Sequence, residues 1–139
     1  KLNALSVKIN FIDDGDVLGA LSVGNKKIYN DIYLGIGGAP EGVLVAAALK
    51  CLNCQMQTRL VYQDQEQRER SKKFGINDFE KKYSINDMVK DDVIFCATGV
   101  TDGDLLKGIK LENNYFLSET LVLHKSSKTN KVLKNRNKI

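Results

Sequence analysis

The chain has 139 residues, of which 42% are hydrophobic and 27% charged, and its formal net charge is +4. This length suits one folded domain, and the composition lies near globular averages, which excludes disordered and fibrous classes. The longest apolar stretch, residues 43–52, is interrupted by Lys50 and is far shorter than the ~20 residues that a membrane span needs. We therefore expect a single domain over residues 1–139 with no membrane partner.

The first third of the chain predicts two strands and one short helix. Residues 2–12 contain partly alternating apolar residues and predict a strand that ends at the turn Asp13-Asp14-Gly15-Asp16. Residues 17–22 predict a short helix. Residues 30–36 predict a second strand, buried on both faces because its apolar residues are continuous. The glycine loop GIGGAPEG follows this strand.

The middle of the chain predicts helices. Residues 40–60 carry apolar side chains at helical spacing, with Pro40 suited to the first turn. Residues 64–74 are polar and predict an exposed helix that ends at Gly75. A short helix capped by Asn86 and Asp87 is expected next.

The last third predicts mainly strands. Residues 92–97 predict a buried strand that leads into a polar, glycine-containing loop at residues 98–104. Residues 115–124 and 131–133 predict closing strands, with a turn at Asn113 and Asn114. The alternation of helices and strands indicates a layered α/β fold, in which ligands bind at the loops that follow the strands.

The C-terminal segment, residues 125–139, is strongly basic and contains no acidic residue. We interpret it as a basic tail that forms a solvated edge or a frayed terminus. Nucleic-acid binding is a weaker alternative because the segment has no interleaved aromatic residues and no known motif. We therefore expect no nucleic-acid partner.

The cysteines indicate a reducing environment. Cys51, Cys54 and Cys96 are an odd number, and the first two fall in a predicted helix, so a cytoplasmic setting fits better than a secreted one. The C-x-x-C pair lacks enough further ligands for a zinc site and is interpreted as ordinary packing. His124 lies among apolar strand residues and is not assigned to an active site.

The loop GIGGAPEG, residues 35–42, has the composition of an anion site. Glycines before a helix N-terminus leave backbone N–H groups free for a phosphate. The loop lacks the third glycine of a dinucleotide fingerprint and the Gly-Lys-Ser/Thr of a P-loop. Glu41 has two interpretations: it complements the helix dipole, or it binds a divalent metal ion that separates it from the phosphate.

The turn at residues 13–16 places several carboxylates at one strand end. Helix capping by Asp14 or Asp16 is one interpretation. The alternative is that these carboxylates accept hydrogen bonds from the hydroxyl groups of a sugar.

Three motifs in order carry a family resemblance: DGD at residues 14–16, GIGGAPEGVLVAAALKCLNCQMQTRL from residue 35, and VIFCATGVTDGDLLKGIK from residue 93. Together they resemble the class II fructose-1,6-bisphosphatases, which include bifunctional fructose/sedoheptulose bisphosphatases. The resemblance implies the layered α/β sandwich of the lithium-sensitive sugar/inositol phosphatases. It also implies Mg²⁺- or Mn²⁺-dependent removal of the C1 phosphate of fructose 1,6-bisphosphate, in gluconeogenesis or the Calvin cycle.

The resemblance also implies roles for individual residues. Glu41 matches the metal-binding glutamate of the family, and Gly38 matches a glycine that contacts substrate. Asp14, Gly15 and Asp16 match the substrate-binding DGD.

The family's remaining metal ligands and its basic substrate contacts lie upstream of this DGD motif. We therefore expect the chain to be the C-terminal domain of a longer, homo-oligomeric enzyme, inactive without its N-terminal half. The alternative is a sugar-phosphate-binding module that has lost catalysis.

Overall fold

The computed structural model describes residues 2–13, 15–25 and 30–139. Within these residues the chain forms four α-helices and six β-strands, arranged as helices on one side of an antiparallel sheet with a smaller sheet beside them. The α/β class predicted from the sequence is confirmed. No helix in the described part of the chain has the length and apolar character needed to cross a membrane.

The helices lie mainly in the first two thirds of the chain. They are α1 (Asp16–Leu21), α2 (Ala39–Cys51), α3 (Gln65–Lys73) and α4 (Ile85–Met88), with 3₁₀ turns at Leu2–Leu5 and Ser22–Gly24. The short helix α1 and the exposed helix α3 were both predicted. Asp64 caps α3 by accepting a hydrogen bond from the Gln67 backbone N–H at 2.7 Å, and Gly75 ends it with a left-handed φ of 80°.

The strands form two antiparallel sheets. The small sheet pairs β1 (Gln57–Thr58) with β2 (Tyr83–Ser84). The main sheet contains β3 (Ile94–Thr98), β4 (Lys110–Glu112), β5 (Tyr115–His124) and β6 (Thr129–Lys138). Strand β5 is central: it pairs with β6 along its whole length on one side, and with β3 and β4 on the other.

The hairpin between β4 and β5 confirms its predicted turn. Asn113 and Asn114 have φ values of 46° and 62°, the left-handed conformation that asparagine tolerates well and that a two-residue hairpin requires. The basic segment, residues 125–139, contains the turn after β5 and the edge strand β6. The strand is longer than the predicted residues 131–133.

Two predicted strands are wrong. Residues 2–12 form a 3₁₀ turn followed by irregular backbone, and residues 30–36 form no regular element. The second segment was expected to be buried on both faces, yet Ile32, Leu34 and Ile36 are exposed. A strand needs a neighbour for its backbone groups, and neither segment has one among the described residues.

Other boundaries also differ from expectation. Helix α2 was predicted to reach residue 60, but it ends at Cys51, and Asn53 then takes a left-handed φ of 58°. The cap of α4 is Ser84, two residues before the predicted Asn86. Ser84 and Asp87 form a capping box, in which each side chain pairs with the backbone N–H of the other residue.

The core lies between one face of the main sheet and helices α1 and α2. Phe95, Leu121 and Leu123 on that face pack in one cluster with Leu21 and Ala48. A second cluster joins α1, α2 and α4 through residues Ala20, Val45, Ala46, Leu49 and Ile85. The opposite face of the sheet carries exposed residues, including Ile94 and Leu111, so strand β3 is buried on one face only.

Candidate active site

Helices α1 and α2 begin at the same end of the molecule. At their starts, the Asp16 carboxylate lies against Gly37. At their ends, Gly24 lies against the Leu52 side chain, and Ala20 packs between them in one cluster with Val45. The two helices therefore run in the same direction, and their N-termini bring the turn at residues 13–16 together with the glycine loop.

The DGD turn positions its second aspartate through a glycine in the left-handed conformation. Gly15 is the N-cap of α1 with φ 85° and ψ 50°, a left-handed conformation that favours glycine. Its carbonyl accepts the first helical hydrogen bond, from the Gly19 N–H at 2.9 Å. Asp16 is the first residue of α1, and Asp14 lies outside the described residues. The predicted roles of Asp14, Gly15 and Asp16 in binding a sugar stay predictions.

The glycine loop ends at the N-terminus of α2. Gly38 is the N-cap with extended backbone, Pro40 lies in the first turn, and Glu41 is the third helical residue. A side chain at Gly38 would place its Cβ on top of Glu41 Oε2, and one at Gly37 would overlap Asp16 Oδ2. The structure thus brings the predicted residues Asp16, Gly38 and Glu41 together. The Asp16 carboxylate contacts Gly37, and the Glu41 carboxylate contacts the next residue, Gly38.

The two carboxylates have no basic counterion within the described part of the chain. None of the ion pairs found there involves Asp16 or Glu41, and the only hydrogen bond found to either carboxylate comes from Tyr33. The positive end of the α2 dipole favours a carboxylate at Glu41, as the simpler interpretation of this residue requires. Carboxylate oxygens such as those of Asp16 and Glu41 are also the ligands that hard divalent cations prefer.

Tyr33 is a site residue that the sequence interpretation missed. Its hydroxyl donates to Asp16 Oδ1 at 3.4 Å, and its ring packs against Gly19, where an added Cβ would lie 2.7 Å from Tyr33 Cε2. Burial, with the nearby Asp16 charge and this hydrogen bond, raises the pKa of Tyr33 above its ordinary value of 10.0. Tyr33 therefore stays protonated and holds the Asp16 carboxylate. Its place in a continuous apolar run gave no signal of this role.

The predicted loop at residues 98–104, whose first residue is the last of β3, makes mainly structural contacts. Asp102 Oδ1 accepts a hydrogen bond from the Gly108 N–H at 2.9 Å, which lowers the pKa of Asp102. Glu119 Oε2 likewise accepts from the Lys107 N–H at 2.9 Å, and this bond lowers the pKa of Glu119. Both carboxylates satisfy backbone N–H groups at residues 107 and 108, which follow this loop. This loop is the only one of the three candidate loops that follows a strand in the described residues.

A second polar cluster lies at the other end of α2. His124 Nε2 lies 2.8 Å from Asp92 Oδ2, and His124 Nδ1 lies 2.8 Å from the Ser127 hydroxyl. Hydrogen bonds from the Ser126 and His124 side chains lower the pKa of Asp92 to about 2. The sequence gave no sign of the Asp92 partner, which lies 32 residues from His124. The hydrogen bonds of this cluster connect the residue before β3 to the turn between β5 and β6.

The cysteines bind no partner sulfur. All three are free, and burial raises the pKa of Cys51 and of Cys54. Residues 2–13, 15–25 and 30–139 contain no group of three or more His, Cys, Asp or Glu side chains that could hold a metal ion. The predicted role of Glu41 as a metal ligand stays a prediction.

Comparison with known proteins identifies the family. Residues 1–137 match the family described as bacterial fructose-1,6-bisphosphatase, glpX-encoded. The chain belongs to this family. A class 2 fructose-1,6-bisphosphatase/sedoheptulose 1,7-bisphosphatase of Synechococcus sp. strain JA-3-3Ab is 35% identical over 142 residues, covering 93% of this chain and 41% of that enzyme.

Another relative is the class 2 fructose-1,6-bisphosphatase of Haemophilus influenzae. It is 36% identical over 142 residues, which cover 93% of this chain and 43% of that protein. The resemblance noted in the sequence is thus confirmed. The chain spans less than half the length of these fructose-1,6-bisphosphatases, so more than half of a family-length polypeptide lies outside it.

Proposed function

We propose that the chain is part of a phosphoric monoester hydrolase that removes the C1 phosphate of fructose 1,6-bisphosphate, giving fructose 6-phosphate and phosphate. The observation that carries this proposal is the convergence of Asp16 and Glu41 on the consecutive glycines 37 and 38 at the start of α2. Family membership supports the reaction, since curated relatives are named for it. A sugar phosphate would occupy both loops.

The cofactor in this proposal is Mg²⁺ or Mn²⁺. The carboxylate of Glu41 would hold the ion, and its oxygen chemistry fits these hard cations. When bound, the ion would supply Lewis acidity toward the phosphoryl oxygens. Glu41 would be held for this purpose by its position in the first turn of α2, near the positive end of the helix dipole.

The glycines and the DGD turn would bind the substrate. Gly38 carries no side chain, and Glu41 Oε2 lies where a Cβ would stand. The phosphate would be bound by the free N–H groups at the N-terminus of α2, which favour an anion. The carboxylate of Asp16 would accept hydrogen bonds from sugar hydroxyls, and Asp14 would add a second acceptor. Tyr33 would keep Asp16 oriented through its hydrogen bond.

The remaining parts of the site would come from outside this chain. The described residues form no group of three or more potential metal ligands, whereas a divalent ion takes more oxygen ligands than Glu41 can offer. We propose that the N-terminal half of a family-length enzyme supplies them. We further propose the lithium-sensitive phosphatase type of fold, a homo-oligomer, a cytoplasmic location and sedoheptulose 1,7-bisphosphate as a second substrate.

The test is phosphate release from fructose 1,6-bisphosphate with Mn²⁺, by the polypeptide of the full reading frame. We expect turnover to fall about 10²-fold in the Glu41→Gln variant, because the carboxylate that would hold the metal ion at the reacting phosphate is lost. Glu112→Gln in β4 is the matched control and should retain activity. Release that is undiminished in Glu41→Gln would remove Glu41 from the site. Binding of the sugar phosphate without any release from the parent would favour the non-catalytic module instead.

A further inference from the structure

A cavity of about 450 Å³ lies at the C-terminal end of α2. Its lining comes from the end of α2 and the residues that follow it, from the start of α4, and from the turn after β5. Lys50 of this lining follows Glu41 by nine residues in the same helix, which is about 14 Å along the helix axis. The cavity therefore lies at the opposite end of α2 from the candidate active site, and its volume is within the range of small-molecule sites.

The lining of this cavity is basic. Lys50 and Lys125 belong to it, and none of the described residues that line it is acidic. Within the described part of the chain, neither lysine takes part in an ion pair. The carboxylates of Asp87 and Asp92 lie outside the lining, and both already accept hydrogen bonds. We call this space, with its two uncompensated ammonium groups, the lysine cavity.

Both lysines keep hydrogen-bond donors for a ligand. The Lys50 ammonium group donates to the carbonyls of Val89 and Lys90 at 2.6 and 3.1 Å, which uses two of its three N–H groups. The Lys125 ammonium group donates to the side-chain oxygen of Asn53, which leaves two of its N–H groups. These contacts also hold the two side chains in place, so an anion that enters the cavity meets positioned charges.

The C-terminal end of α2 offers little competition to an anion. The carbonyls of residues 48–50 accept hydrogen bonds from backbone N–H groups of residues 52–54. Lys50 lies in the last turn of the helix, where a positive charge offsets the negative end of the dipole. An anion in the lysine cavity therefore does not face unpaired carbonyl groups of this helix end.

The same cavity has an apolar part. Ile85 is buried in the cluster that joins α1, α2 and α4, and Cys54 and Met56 pack against that cluster. All three residues also line the cavity. A ligand that carries an apolar portion beside its charge would remove that portion from water against these side chains.

We propose that the lysine cavity binds a small organic phosphate, whose phosphate group pairs with Lys50 and Lys125 and whose apolar portion packs against Met56 and Ile85. A phosphate monoester carries close to two negative charges at neutral pH, which matches two ammonium groups. Lysine binds phosphate as a point charge, without the planar geometry that arginine imposes. The proposal does not depend on the reaction proposed above, since it uses no residue of the candidate active site.

The experiment uses phenylphosphonate, which has a phosphonate group on an apolar ring and a C–P bond that a phosphomonoesterase does not hydrolyse. The polypeptide of the full reading frame is treated with N-ethylmaleimide in the presence of a metal chelator, and peptide mass spectrometry follows alkylation of Cys54 in the cavity and of Cys96, which is exposed on β3. Phenylphosphonate at ten times its dissociation constant should slow alkylation of Cys54 about tenfold by mass action and leave Cys96 unchanged. Unslowed alkylation of Cys54 would overturn the proposal. A Cys54 that is unreactive without phenylphosphonate would show that the cavity is closed and would also overturn it.

Two substitutions test the charge. Lys125→Met should raise the phenylphosphonate concentration needed for protection by about tenfold, because a charged hydrogen bond to the anion is lost. Lys131→Met is the matched control: it removes the same charge from the exposed strand β6, outside the cavity lining, and should leave protection unchanged. Equal protection in the parent and in Lys125→Met would contradict the proposed role of the lysines.

Two further compounds separate the phosphate from the apolar portion. Benzyl alcohol has the ring without the charge and should give no protection of Cys54. Inorganic phosphate has the charge without the ring and should protect only at a higher concentration than phenylphosphonate. Protection by benzyl alcohol at the concentration of phenylphosphonate would overturn the anion site. Protection by inorganic phosphate at that same concentration would overturn the assignment to an organic phosphate.

Discussion

The main sheet and the N-terminal segment, residues 2–38, both contain sequences that favour strands. Only those of the main sheet form paired strands in the structure. Strand β5 joins β4 through Asn113 and Asn114 and joins β6 through a four-residue turn, so each strand meets its partner within a few residues. Residues 30–36 have no such neighbour in the part of the chain that the structure describes, and they form no regular element. Local hairpins can be recognised from sequence, whereas a strand whose partner lies far away, or outside the chain, cannot be placed by its own pattern.

Truncation of one apolar side chain in each region gives the largest expected contrast. Leu123 is only 1% exposed, so Leu123→Ala should destabilise the chain by about 3 kcal/mol through lost burial and the cavity that remains. Leu34→Ala should change the free energy of unfolding of this chain by less than about 0.5 kcal/mol, as surface substitutions do. Urea denaturation measures both. A large loss in Leu34→Ala would show that residues 30–36 are already packed.

A smaller effect is expected where the N-terminal segment does pack, at Gly19. An added Cβ would lie 2.7 Å from Tyr33 Cε2, so Gly19→Ala should cost about 1–3 kcal/mol by overpacking and displace Tyr33 from Asp16. Gly42→Ala in α2 is the control: its Cβ would meet no described atom within 4 Å, and it should stabilise the helix by about 0.5–1 kcal/mol. Thermal unfolding would compare the melting temperatures of the Gly19→Ala and Gly42→Ala variants. Equal effects would contradict the contact between Tyr33 and α1.

The smallest expected effect is a dependence on pH at the far end of the sheet. The folded pKa of Asp92 is about 2 against an ordinary 3.8, so its contribution to stability is present above pH 3.8 and is lost as the pH falls toward 2. In the Asp92→Asn variant, the urea midpoint should fall less over this pH range than it does in the parent chain. The variant Asp91→Asn changes an exposed neighbour and should show the same fall as the parent. An unchanged slope in Asp92→Asn would show that the hydrogen bonds from Ser126 and His124 do not form in solution.

Much of the fold could be predicted where the signal is local. The bounds of β5, the turn at Asn113 and Asn114, and the capped helix α3 all follow from short-range patterns of residues. The C-terminal end of α2 could not be predicted, because apolar spacing continues to Leu60 while Asn53 turns the chain. The pairing of β5 with β3 brings together residues more than 20 apart and needed the structure.

The candidate site was predictable in part for the same reason. The DGD turn and the glycine loop are recognisable as motifs, and the structure places Asp16, Gly38 and Glu41 at one end of two parallel helices. Tyr33 could not be found, because its contact with Asp16 crosses 17 residues and depends on how α1 packs against the loop. Motifs identify residue types, whereas the positioning side chains between them emerge only from packing.

The most direct test of the central claim, that the Glu41 carboxylate holds a divalent ion, is Mn²⁺ binding measured by electron paramagnetic resonance of the free ion. The polypeptide of the full reading frame and its Glu41→Gln and Glu112→Gln variants would be titrated side by side. We expect Glu41→Gln to weaken Mn²⁺ binding by at least about tenfold, as changes at metal sites typically do, and Glu112→Gln to bind as the parent does. Parent-like binding by a folded Glu41→Gln variant would contradict the account and leave Glu41 as a residue that complements the dipole of α2.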